Sequence, residues 1–118
     1  ESIMYCNAHG TGTKLNDPNE TRALKEVFGN HAYNMSISST KPIHGHLLTA
    51  CGAVENIITI CAMNDNFVPL TINYLGPDPE CDLDYVPNEA REISNIDHVM
   101  CNTFAFGGTG GVLIFGRV

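Results

Sequence analysis

Seven mostly apolar residues, SIMYCNA at positions 2–8, stop at His9-Gly10, which is the pattern of a short buried strand that presents a side chain at its end. A flexible polar loop follows, and then DPNETRALKEVFG at 17–29 reads as a helix. Asp17 is the expected N-cap, Pro18 suits the first helical position, and Glu20 stands three residues after the cap, at capping-box spacing. Ala23, Leu24, Val27 and Phe28 form its apolar stripe, and Gly29 ends it. MSISSTK at 35–41 alternates and predicts a second strand ending at Lys41, with PIHGH as a loop behind it. The run HLLTACGAVENIITICAM, 46–63, predicts a helix opening at His46. It is apolar on nearly every face, with Glu55 its only charge, so it is expected to be buried on all sides, with something outside this chain covering it. FVPLTINY at 67–74 is a short extended stretch broken by Pro69, and residues 75–90 are loop-rich. HVMCNTFAF, GGTGG and VLIFGRV then predict two strands around a glycine turn. The order β-α-β-α-(β)-β-β gives an α/β class: a mixed five-stranded sheet with helices packed on both faces.

Composition narrows the function. The 118 residues suffice for one domain with a modest core. A net charge of −7, with six Lys and Arg spread over the chain, argues against nucleic acid as a partner. Five cysteines at 6, 51, 61, 81 and 101, with no C-x-x-C, suggest free thiols in a reducing compartment, a bacterial cytoplasm or an organelle matrix. No signal peptide is recognisable, and no apolar run reaches the roughly 18 residues of a membrane span. The chain opens inside a strand without a methionine, as a piece of something longer would.

The candidate chemistry gathers at strand ends. His9 and Lys41 each follow a strand at its carboxyl end, where sites form in open α/β sheets, and they meet if the strands are adjacent. His46 follows closely, and the glycine hairpin at 107–111 returns with Phe104 and Phe106. Two imidazoles and a lysine can donate hydrogen bonds to a carbonyl oxygen that gains negative charge, and the lysine disfavours the charged imidazoles. Each residue also has an ordinary reading: His9 as a satisfied structural histidine, Lys41 as a solvated surface lysine, Glu20 as a helix cap, Phe106 as core, and the glycines as a turn. His44 and His46 as a metal pair lack a nearby carboxylate or cysteine cluster. GGTGG as a phosphate loop lacks the following helix.

Taken in order, NAHGTGT (7–13), DPNE (17–20), SSTKPIHGHLLTACGAVE (38–55), VPLTIN (68–73), CDLDYVP (81–87) and CNTFAFGGTG (101–110) resemble the C-terminal half of the β-ketoacyl-acyl carrier protein synthases, more like the bacterial elongating type than the modular polyketide type. The resemblance spans essentially residues 1–118. It implies half of a thiolase-like fold, in which the apolar helix belongs to a central layer. It also implies acyl transfer followed by decarboxylative Claisen condensation with malonyl on an acyl carrier protein, as in fatty acid elongation. His9 and His46 would then be the catalytic histidines, stabilising the enolate, and Lys41 would set the site's electrostatics together with Glu20. Thr11 and Thr13 would contact the phosphopantetheine arm, which the substrate carries, so that no further cofactor and no metal are implied. Phe106 would be the gate, with Phe104 close behind. The implied partners are the acyl carrier protein, an absent N-terminal half bearing the nucleophilic cysteine, and a second copy in a homodimer. Cys51 is a poor nucleophile candidate, because it is expected in mid-helix, away from a helix N-terminus. The sequence departs from the family pattern at Ala105 (usually glycine), Gly110 (usually asparagine) and His44, an extra histidine. The competing readings are a non-catalytic partner resembling the chain-length factors, and a plain α/β binding module.

Overall fold

The computed structural model describes residues 2–118. Its main sheet joins β1 (Tyr5–Asn7), β2 (Ser36–Ser38), β5 (His98–Phe104) and β6 (Gly110–Gly116) in the order β2-β1-β5-β6. β1 runs parallel to β2 and β5, and β6 returns antiparallel to β5. Central β1 is buried on both faces, which explains its continuous apolar run. On one face, Cys6, Ile37 and Met100 pack with Leu24 of α1 (Asn16–Phe28). On the other, Tyr5 and Val99 pack with Ala62 and Met63 of α3 (Cys51–Asp65). The mixed α/β sheet with helices on both faces is therefore present, but with four strands. The expected fifth, at 67–74, is reduced to β3 (Phe67–Val68), which pairs with β4 (Arg91–Glu92) in a separate two-stranded sheet. Pro69, which follows directly, cannot donate a ladder hydrogen bond, and beyond it in this stretch only Thr71 makes an isolated bridge, to Pro87.

α1 forms where expected, but its N-terminus is built differently. The N-cap position is Leu15, and the Thr13 hydroxyl accepts the Asn16 N–H at 3.2 Å. Asp17 lies inside the first turn and accepts the Gly12 N–H at 3.2 Å. Glu20 does not close a capping box, because its carboxylate is buried among other donors. Val27, expected in the apolar stripe, is exposed, and Leu24 and the partly buried Phe28 face the core.

The second strand ends at Ser38, and Lys41 instead opens the single helical turn α2 (Lys41–His44), which replaces the expected loop. The second long helix also starts late. Residues Leu48–Ala50 form a tight 3-10 turn, and α3 begins at Cys51, so His46 precedes the helix instead of opening it. α3 is inverted relative to an ordinary surface helix. Cys51, Glu55, Thr59, Ala62 and Met63 face inward, while Ile57 is 62% exposed and Cys61 is exposed. Val112, Leu113 and Ile114 of edge strand β6 are also exposed.

The carboxyl end of β1 leaves little room. Gly10 has φ +40°, and a Cβ there would lie 2.6 Å from Ser39 Cβ. Gly10→Ala is therefore expected to cost about 3 kcal/mol, combining left-handed backbone strain with overpacking. Urea denaturation measures it, and an unchanged midpoint would refute the close approach.

Candidate active site

The parallel pairing of β1 with β2, in the register Asn7↔Ser38, carries His9 and Lys41 out of the same sheet edge. β5, on the other side of β1, brings Phe104. The His9 ring lies edge-on to His46, with centroids 5.6 Å apart, and edge-on to Phe104 at 5.6 Å. Sequence order thus places the two histidines and Phe104 together. Phe106 stands apart, 99% exposed at the hairpin tip, so it is not a core residue. Ala105 has an extended backbone, which alanine adopts without strain. Gly110 is used for closeness, since a Cβ there would lie 2.8 Å from the Phe104 ring.

Glu20 holds the backbone beneath His9. Its Oε1 accepts the His9 N–H at 2.9 Å and Asn102 Nδ2 at 3.0 Å, and its Oε2 accepts the Gly10 N–H at 3.0 Å and Asn16 Nδ2 at 3.3 Å. Four donors on one buried carboxylate make it an anchor for the loop.

Lys41 is buried and pairs with Glu55 of α3, Nζ to Oε1 at 2.5 Å. Its ion-pair partner is thus Glu55, while Glu20 anchors the backbone at His9 and Gly10. Sequence reasoning missed Glu55 as a site residue, although the signal was present: a lone charge in an apolar helix needs a buried partner. Asn7 adds a second tie, its Nδ2 donating to the Glu55 carbonyl at 3.3 Å. Asn102 was also missed, and nothing in its strand context marked it.

His46 sits in an exposed turn, and its Nδ1 accepts the Leu48 N–H at 3.1 Å, so a neutral ring carries its proton on Nε2. Cys51 Sγ lies 3.2 Å from the same Nδ1 and accepts the Leu47 N–H at 3.1 Å. Cys51 is the first residue of α3 and not a mid-helix thiol. His44 turns away, with Nε2 3.2 Å from Thr40 Oγ1 and Nδ1 2.7 Å from the Gly45 carbonyl. A cavity of about 860 Å³ opens beside His46, lined among others by Thr11, Thr13, Lys41, His46, Tyr74 and Tyr85. The Thr11 and Thr13 hydroxyls lie 3.1 Å apart on its exposed rim.

His9 is nearly fully buried, and its Nδ1 has no partner among the described residues. Burial, and after it the charge of Lys41 and the neighbouring His46, bring its pKa down to about 4. His9 is therefore neutral at pH 7, able to donate a hydrogen bond without carrying charge. The lowered value means the folded state binds fewer protons than the unfolded chain between about pH 6.5 and 4. His9's contribution to stability is full above that window and is lost as pH falls through it. Urea denaturation at several pH values should show a shallower acid loss for His9→Gln than for the wild type, and parallel curves would contradict this.

Residues 1–75 match the family described as the beta-ketoacyl synthase C-terminal domain. The chain belongs to the beta-ketoacyl synthase family. It is 55% identical over its whole length to a 3-oxoacyl-[acyl-carrier-protein] synthase 2 of Coxiella burnetii, covering 28% of that protein. It is 54% identical to Nodulation protein E of Rhizobium meliloti, covering 29% of it. Among solved structures, a beta-ketoacyl synthase from Burkholderia phymatum superposes with a TM-score of 0.90 at 47% identity, over 99% of this chain and 28% of that one. A type II polyketide ketosynthase solved with its acyl-carrier protein gives a TM-score of 0.95 at 37% identity, over 99% of this chain and 28% of that one. The fold is thus that of the C-terminal part of the thiolase-like ketosynthases, and the chain spans less than a third of the length of these relatives. Among the described residues of this synthase domain, no helix is long and apolar enough to cross a membrane.

Proposed function

We propose that this chain supplies the His/His/Lys side of a condensing site that joins an acyl thioester to malonyl-acyl carrier protein by decarboxylative Claisen condensation, as in fatty acid chain elongation. The observation that carries the reading is the edge-on pair His9–His46 beside the buried Lys41–Glu55 ion pair. The neutral His9 imidazole and the His46 ring edge-on to it suit a thioester carbonyl that becomes an enolate oxygen. In this reading the malonyl C–C bond breaks, carbon dioxide leaves, and the electron pair moves onto the thioester oxygen held by His9 and His46. The enolate carbon then attacks the acyl thioester, forming the new C–C bond and expelling a cysteine thiolate from the N-terminal half of the protein. Lys41, after burial, helps keep the His9 imidazole uncharged, a role supported by its lowering effect on His9. Thr11 and Thr13 contact the phosphopantetheine arm along the cavity rim, and Phe106 gates the nucleophile, with Phe104 steadying His9. The arm arrives with the substrate, and the chemistry asks for no cofactor of the protein's own.

The partners in this reading are an acyl carrier protein, the N-terminal half, and a second copy of the whole protein in a homodimer, within a bacterial cytoplasm or organelle matrix. The test is incubation of the full-length protein with acyl- and malonyl-acyl carrier protein, followed by mass spectrometry of the carrier. A 3-oxoacyl product is expected. Absence of both condensation and malonyl decarboxylation would overturn the reading.

A further inference from the structure

Cys51 occupies a place that the condensing reading does not use. It is 1% exposed at the first turn of α3, while residues 46–50 of the turn before it are all exposed. That turn holds Leu48 at φ +52°, a left-handed conformation that a leucine adopts at a cost, and the Leu48 side chain is 72% exposed, so no packing holds it. Hydrogen bonds to the thiol and to the His46 ring tie the turn instead. Sγ accepts the Leu47 N–H at 3.1 Å and lies 3.2 Å from His46 Nδ1, which is already an acceptor for the Leu48 N–H. An Nδ1 that accepts carries no proton, so in the thiol–imidazole contact the S–H is the donor and shares the one Nδ1 lone pair with the Leu48 N–H.

We propose that Cys51 is a positioning residue for His46: its thiol takes the Leu47 N–H, donates S–H to His46 Nδ1, and so clamps the ring with its Nε2–H edge free. The inference deepens the condensing reading and rests on it for its kinetic consequence. His9, edge-on at 5.6 Å, bounds the ring on a second side, so an imidazole fixed by sulfur is also fixed relative to its catalytic neighbour. Cys51 touches no reacting atom in this scheme; it acts through His46.

The test uses the full-length protein labelled with 15N-histidine, with His46→Gln to assign the signal. In the wild type, His46 should appear as a single Nε2–H tautomer. In Cys51→Ala the signal should broaden or mix, and kcat for condensation should fall roughly fivefold with KM unchanged, the kinetic equivalent of one neutral hydrogen bond. Cys51→Ser, which keeps a donor, should restore most of both. An unchanged imidazole signal in Cys51→Ala overturns the proposal, whether the rate is unchanged or falls equally in the alanine and serine variants, since an equal fall would mark packing alone. If the wild-type protein does not condense at all, the functional reading falls, and the imidazole signal alone decides the Cys51–His46 bond.

Discussion

Lys41→Met lowers the unfolding free energy of the full-length protein by about 3–5 kcal/mol, because it leaves the Glu55 carboxylate buried beside an apolar side chain. Glu55 has no exposed surface, and its Oε2 has no partner among the described residues, so nothing else is in place to take over from the ammonium. The second half of the expectation is the more telling. Lys41→Met combined with Glu55→Leu should recover most of the lost stability, since an apolar pair of similar size replaces a buried ion pair at little net cost. It should not recover activity, because the positive charge beside the histidines is gone. Chemical denaturation of both variants, alongside malonyl decarboxylation, separates the two roles. If the double variant were as unstable as Lys41→Met, the pair would be a structural necessity for another reason. If it were fully active, Lys41 would have no part in the chemistry.

His9→Ala and His46→Ala are each expected to lower the rate of malonyl decarboxylation by roughly 10²–10³, the loss seen when one preorganised donor to a developing oxyanion is removed. The effect should fall on kcat more than on KM, since the hydrogen bonds strengthen as charge develops on the thioester oxygen. The double variant should lose less than the product of the two, because both donors serve one oxygen. Carrier-bound acetyl and malonyl groups resolved by mass spectrometry give the rate directly. A variant that decarboxylates at the wild-type rate removes its histidine from the scheme. Both variants should keep their folds, though for different reasons. His46 stands in an exposed turn, and the loop at His9 is anchored through its backbone to Glu20, not through the ring.

Much of this was legible from local pattern. The apolar run into His9 marked β1, and the period of Leu24 and Phe28 marked α1. The placing of His9 beyond the end of β1 held, while Lys41, expected at the end of β2, opens the helical turn that follows it, and the two share one sheet edge because β1 and β2 are adjacent and parallel. Local rules failed where a side chain found a stronger distant partner. Glu20 has the spacing of a capping box, yet four buried or part-buried N–H donors claim its carboxylate, and the Thr13 hydroxyl serves the helix end instead. Residues 46–50 read as helix, yet the chain there makes a left-handed step that brings the Leu48 N–H to the His46 ring.

By itself, then, the sequence determined the mixed α/β class, the identity of the catalytic candidates and the family, because apolar period and motif order are local properties. Only the tertiary structure decided that Lys41 answers to Glu55, that Cys51 opens a helix against His46, and that α3 turns its polar stripe inward. An ion pair buried between two elements depends on which surfaces meet, and no spacing along the chain encodes that. Once Glu55 must reach Lys41, α3 has no rotational choice left, and Ile57 and Cys61 face outward.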